Sequence, residues 1–482
     1  MDVLATVFAQ SAEEVAGQLG LDSLILTEFY FYVSIPLMWL IHAGFLMYEG
    51  GASRRKNVMA TVMKNFLTIA VVTPTFYYFG WWIYGCFQNG GYSDASGPDN
   101  FPDFCGATYP WSAASGGNLG DHLLGVFLVA FIVFSWVTGS IMSGAVIERI
   151  RLSSYLVLTV CLGSIAWVFA ASWGWSVGWL TENYGYHDAA ASMVVHGVAG
   201  FFALGVVMNL GPRIGKYDSE GRAREFRGHN IHLTLIGLML IYAGFYGFYM
   251  ACITPLSTTF PGYVTIYFTP VTLSAFCLTL TFGFAAGFVG GYFASKADPY
   301  WTMAGALAGA VTVSCGADIY HPSFTWLMAL LGSMLTVWVG NWVEKKMRVD
   351  DAVGAFAVHG FAGLFGILML GVFAGGYPTG VANVPTSFGG QLMGAMTMIP
   401  LGFGLGYGVS WVLKKLNLLR VSPEVELEGI DVAEYGSDFF PESAPSPEPI
   451  VLPTGEQVPS EALLREEFAR LNGGGGGARV RA

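Results

Sequence analysis

Charge is what this 482-residue sequence has least of. Only 11% of its residues are Asp, Glu, Lys or Arg, against roughly 25% in soluble domains. So few charges cannot cover a water-facing surface, which excludes a soluble enzyme. Positive charge is scarcer than negative. The formal net charge is −11 and the pI is about 5.2, which argues against nucleic acid or any other polyanion as a partner. Cysteine is also sparse, with six residues and no metal-ligand spacing. Cys161, Cys252, Cys277 and Cys315 lie in apolar runs, where a thiol packs as a small hydrophobe. Cys86 and Cys105 flank a polar loop, and the sequence alone leaves their pairing open. The first eighteen residues have no basic n-region, so no secretory signal peptide is expected. What the chain has in abundance is apolar residues, 54% of the total, and 64 glycines. That composition excludes a disordered chain and points to an all-α polytopic membrane protein.

A helix needs about 20 mostly apolar residues to cross the hydrocarbon of a bilayer. Eleven such runs can be read: Leu24–Glu49, Val58–Phe87, His122–Ile147, Tyr155–Trp175, Ala190–Leu210, Leu233–Ile253, Val264–Ala294, Tyr300–Ile319, Ser323–Val343, Ala352–Ala374 and Gly389–Leu413. Each run is continuous rather than alternating, which excludes a β-barrel. Lys and Arg follow the odd-numbered runs, at Arg54–Lys56, Arg149 and Arg151, Arg213–Arg227, Lys296, Lys345–Arg348 and Lys414–Arg420. The intervening loops contain none. Under the positive-inside rule the N-terminus is out and the C-terminus in. Residues 1–23 are then an extracytoplasmic segment, and 24–420 the eleven-helix domain. Residues 421–482 form an acidic, Pro- and Gly-rich cytoplasmic tail, expected to be largely disordered. Within it, Glu461–Leu471 has the pattern of one short amphipathic helix.

The fifth run contains Val195-His196-Gly197-Val198-Ala199-Gly200-Phe201-Phe202, and the tenth Val358-His359-Gly360-Phe361-Ala362-Gly363-Leu364-Phe365. The shared pattern is V-H-G-x-A-G-x-F. It divides the chain into repeat one (about 24–210), repeat two (about 230–374) and an extra helix (about 389–413). Five spans per repeat is an odd number, so the halves run in opposite directions. Inverted repeats with a site at their interface, near mid-membrane, are a transporter signature. A lone histidine on an apolar helix is usually a packing residue, as His42 is read here. Two histidines at matching repeat positions are brought together by the pseudo-two-fold axis. Neutral imidazoles so placed can share one N–H···N hydrogen bond and line a greasy passage with polar edges. Such a path suits a small, neutral, hydrogen-bonding solute.

Twin V-H-G motifs are joined by Gly51–Asn57 after the first run, Glu148-Arg149-Ile150-Arg151 after the third, and Asp350-Asp351 ahead of His359. In these features the sequence resembles the ammonium transporter, methylammonium permease and Rhesus superfamily, on the ammonium transporter side, over about residues 24–440. The resemblance implies a homotrimer with one pore per subunit, lined by His196 and His359. It implies that Asp188, eight residues before His196, supports recruitment and deprotonation of ammonium. Trp175, with Trp173 as a register alternative, would wall an external vestibule together with Phe134 and Cys252, which stands where the family usually has serine. Phe134 and Phe248 would form a stacked gate. Tyr249 and Met250 replace the smaller Asn-Ala common in the family, and their bulk is expected to bear on the vestibule. The tail start Gly429-Ile430-Asp431 matches the family's pattern, whereas Glu434–Asp438 departs from it.

The expected activity is recruitment of ammonium, its deprotonation and passage of ammonia, with separate electrogenic proton transfer. A Rhesus-like electroneutral gas channel and an ammonium sensor built on the same pore are the alternatives. No enzyme activity, cofactor, metal or nucleic-acid partner is expected. The expected partners are ammonium or ammonia, methylammonium as analogue, the lipid bilayer, further copies of the chain, and a PII-type regulator at the cytoplasmic face. The expected location is the cell membrane, inner or plasma, as a multi-pass protein.

Overall fold

A computed structural model describes residues 2–94, 104–112, 124–255, 262–373, 386–437, 439–440, 450–451 and 457–458, with no side-chain description before Asp22. Among them, ten helices are long and apolar enough to cross a membrane. They are α1 (Asp2–Ala52, apolar from Asp22), α2 (Arg55–Cys86), α3 (Leu124–Ala145), α4 (Leu152–Gly174), α5 (Ser192–Leu210), α6 (Ile231–Met250), α7 (Leu273–Ser295), α9 (Pro322–Met347), α10 (Phe356–Phe373) and α11 (Phe388–Lys415). The eighth apolar run forms α8 (Pro299–Ser314), of sixteen residues, too short to span hydrocarbon by itself. It continues in turns through Ile319. Every residue of α8 from Ala304 to Ser314 is buried, so its contacts are with protein rather than lipid. Glycine makes that possible. A Cβ on Gly287 would lie 2.5 Å from the Gly305 carbonyl oxygen, and one on Gly309 2.5 Å from that of Gly283. The backbones of α7 and α8 touch because neither carries a side chain there.

Helix starts follow local chemistry. Asn230, Thr272, Asp298 and Ser387 each accept a hydrogen bond from a backbone N–H of the first turn of α6, α7, α8 and α11. His321 does the same for α9 through Nδ1.

Two segments carry helix beyond the apolar runs. α1 runs unbroken from Asp2 into the first apolar run. That stretch has no proline before Pro36 and is rich in good helix formers. The tail is not structureless at its start. Pro423–Glu428 and Ile430–Tyr435 are helical. Asp431 accepts hydrogen bonds from the N–H groups of Met59 and Ala60 at 2.9 and 2.8 Å, and Glu426 pairs with Arg420 at 2.7 Å. The proposed helix Glu461–Leu471 lies outside the described residues.

The basic end of the bundle is an ion network. Arg213 makes two 2.9 Å bonds to the Asp350 carboxylate, and Arg54 bonds Glu148 at 2.6 Å. Burial would raise the Asp350 carboxyl, but Arg149 and Arg213 hold it well below the usual carboxylate range. At the opposite end Cys86 and Cys105 are disulfide-bonded. There a small antiparallel sheet, Ile253–Thr254, Tyr263–Thr265 and Pro270–Val271, follows α6.

Candidate functional site

α5 and α10 both begin with π-helical turns, Ser192–Gly197 and Phe356–Phe361. Each turn carries its histidine. The wider π-turn must be stabilised from outside, and in both repeats a carboxylate does so from eight residues before the histidine. Asp188 accepts from the N–H groups of Ser192, Met193 and Val194 at 2.7, 2.8 and 2.9 Å. Asp351 accepts from Ala355 and Phe356 at 2.9 and 2.7 Å. Five residues before each histidine the backbone is left-handed, at Ala191 (φ 72°) and Gly354 (φ 65°). The offset that singles out Asp188 in the sequence also holds for Asp351. The sequence reading applied it to only one repeat.

The shared glycines let the two turns meet. A Cβ on Gly200 would lie 2.1 Å from the Gly360 nitrogen, and one on Gly363 2.0 Å from the Ser192 carbonyl oxygen. The α5–α10 crossing is thus reciprocal, with the A-G of one motif seated on the other repeat's turn. It brings His196 Nδ1 to 3.1 Å from His359 Nδ1, with ring centroids 5.2 Å apart. One hydrogen between the two nitrogens satisfies both. His196 Nε2 is buried without a hydrogen-bond partner among the described residues.

Phe248 lies 5.6 Å from the His196 ring and 4.4 Å from Phe134. Phe245, which the sequence reading did not single out, stacks on His196 at 5.6 Å. Only its three-residue spacing from Phe248 on α6 signals this. Trp175 is buried at the end of α4, 6.1 Å from Phe134, and donates from Nε1 to the Asp188 carbonyl at 2.9 Å. Trp173 packs elsewhere, on Phe169 and Trp179. Cys252 is buried, with Sγ 3.4 Å from the Phe248 carbonyl oxygen. The bulk of Tyr249 is turned toward α8, its hydroxyl 2.7 Å from Ser314 Oγ.

Asp188 is fully buried. Burial pushes its carboxyl above the usual range, opposed by the N–H groups of Val194, Met193 and Ser192. The Tyr186 hydroxyl donates to it at 3.2 Å. Among the described residues no group of His, Cys, Asp and Glu has a metal-binding arrangement. Contacts thus run from Asp188 through Trp175, Phe134 and Phe248 to His196 and His359.

Comparison with known proteins gives one family. The model of the Ammonium Transporter Family matches residues 29–439. The chain is 31% identical to the ammonium transporter Amt2 of Archaeoglobus fulgidus, over 84% of this chain and 86% of that one. It is also 31% identical to Amt2 of Methanocaldococcus jannaschii, over 86% and 91%. Among solved structures, a sensor Amt protein superposes with a TM-score of 0.72 at 24% identity, covering 86% of this chain and 98% of the other. Mep2 of Candida albicans superposes at 0.67 and 19% identity, covering 90% and 94%.

Proposed function

The chain belongs to the ammonium transporter family, and on that premise we propose that it recruits ammonium at its outer end, deprotonates it and passes ammonia between the twin histidines. It is a multi-pass membrane transporter, not an enzyme. The observation that carries the mechanism is the His196–His359 contact at 3.1 Å behind the Phe134–Phe248 pair. An ion stripped of water in such a passage meets a desolvation cost that two imidazole edges do not offset. Ammonium escapes this cost by leaving a proton behind. Potassium has none to leave. Asp188 and the ring of Trp175 supply a carboxylate field and an aromatic face for the cation before the proton goes. In this reading the proton crosses separately and transport is electrogenic. The homotrimer and a PII-type partner at the cytoplasmic face belong to the same proposal.

Solid-supported-membrane electrophysiology on proteoliposomes tests it. Ammonium and methylammonium should evoke a current and potassium none. His196→Ala and His359→Ala should lose that selectivity while still assembling. Unaltered selectivity in both variants refutes the conduit. Luminal alkalinisation without current assigns the electroneutral alternative.

A further inference from the structure

A small cavity lies on the cytoplasmic side of the histidine pair. His359 faces it, and Phe45, Ile141, Leu238 and Val353 supply much of its wall. Of its lining residues, Glu49 is the one carboxylate. Glu49 sits in the last turn of α1, fully buried. A carboxylate there is costly unless its partners and its task justify it. Its partners are few. The Ser143 hydroxyl donates to Oε1 and Asn65 Nδ2 donates to Oε2 at 2.9 Å, leaving each oxygen a lone pair. Lys64, also buried, does not close on it as an ion pair. Its ammonium donates to the Ser143 carbonyl at 3.2 Å and lies 5.4 Å from the Tyr155 ring. Glu49 thus feels the charge of Lys64 and lines the same cavity as His359.

Taking the conduit reading above as its basis, we propose that Glu49 is the exit-side proton-exchange group. Ammonia that has passed His359 meets the Glu49 carboxyl in this cavity. Its lone pair takes the carboxyl proton, the O–H bond breaking as the N–H bond forms. Ammonium then leaves toward the cytoplasm. The remaining carboxylate is held by Ser143, Asn65 and the charge of Lys64 until a proton from cytoplasmic water restores it.

The test uses the full chain in proteoliposomes, with current and luminal pH both recorded after an ammonium jump. Glu49→Gln keeps the shape and one of the two acceptor oxygens but has no proton to exchange. It should assemble normally and transport on the order of a hundredfold more slowly, and Glu49→Asp should recover part of the rate. The double variant Glu49→Gln/Lys64→Met separates proton exchange from simple neutralisation of Lys64, and it should remain slow. Wild-type rates in assembled Glu49→Gln, or recovery in the double variant, overturn the proposal. If Glu49→Gln does not assemble, infrared difference spectra decide. The wild type should show an ammonium-dependent carboxyl C=O band that shifts in Glu49→Asp, and its absence sinks the idea. Normal rates in Glu49→Gln beside loss of selectivity in His359→Ala discard the exit-side role alone. A wild type silent in both readouts discards the conduit reading, and this proposal with it.

Discussion

The outer histidine turn, which carries His196, and the inner one, which carries His359, share a backbone device and differ in what surrounds it. In both, a carboxylate eight residues upstream ties down a π-turn after a left-handed residue. Asp188 binds three N–H groups and Asp351 two. Asp188 is ringed by aromatic and neutral groups, with the Tyr186 hydroxyl on its carboxylate and Trp175 on its carbonyl. Asp351 follows Asp350, which bonds Arg213 through its carboxylate and Arg149 through its carbonyl. The left-handed residue is alanine outside and glycine inside. The comparison teaches that the repeat supplies a scaffold for a histidine, while the neighbouring groups set the surroundings of its carboxylate, uncharged donors at Asp188 and an adjoining ion network at Asp351.

The largest effect that would sharpen this comparison is at the two carboxylates. Asp188→Ala orphans three buried N–H groups, each worth about 1–3 kcal/mol, and removes the carboxylate of the proposed recruitment site. Labelled methylammonium uptake should fall beyond detection. Asp351→Ala orphans two N–H groups but leaves the outer end intact, so uptake should fall by roughly tenfold, or about 1.4 kcal/mol, alongside a drop in thermal stability. Equal losses of uptake would erase the distinction between the turns.

A smaller effect concerns the left-handed positions. Ala191 carries a steric cost of about 1–2 kcal/mol that glycine avoids. Ala191→Gly should raise the unfolding temperature in detergent, and Gly354→Ala should lower it. The added methyl of Gly354→Ala would also lie 3.1 Å from the Trp301 ring. Shifts of the same sign in both variants would break the argument that the turns are equivalent. The smallest effect is at Cys252, beside the Phe248 carbonyl. Cys252→Ser replaces a weak donor with a stronger one. It should lower the half-saturating ammonium concentration by about two- to fivefold, or ~0.5–1 kcal/mol, and a raised value would remove Cys252 from the vestibule.

Much of the membrane architecture is legible because hydrocarbon demands long apolar helices and the basic loops alternate. Gly287 and Gly305 show where that logic thins. They let α7 and α8 pack so closely that α8 is covered by protein, so its length no longer reports membrane thickness. The start of the tail reads as disorder because Glu424, Glu426 and Asp431 are acidic and follow Pro423 within a few residues. Their ordering comes from the nearby Arg420 and from N–H groups distant in sequence, that of Ile214 on Glu426 and those of Met59 and Ala60 on Asp431. His196 and His359 announce themselves by a repeated motif. Glu49 does not, since its meaning depends on a cavity assembled from several helices. Phe245 is one aromatic among 36 phenylalanines until its ring is seen against His196.

By itself, the order of residues determined that this chain lives in a bilayer and that two related halves each offer a histidine. Those properties follow from hydration cost and chain parity, which are local or additive. Only the folded molecule decided that the imidazoles share a hydrogen, that Asp351 repeats the work of Asp188, and that Glu49 looks into the space beneath His359. Such facts depend on which backbones approach closely enough to touch, and close approach is a property of pairs of helices rather than of any one of them.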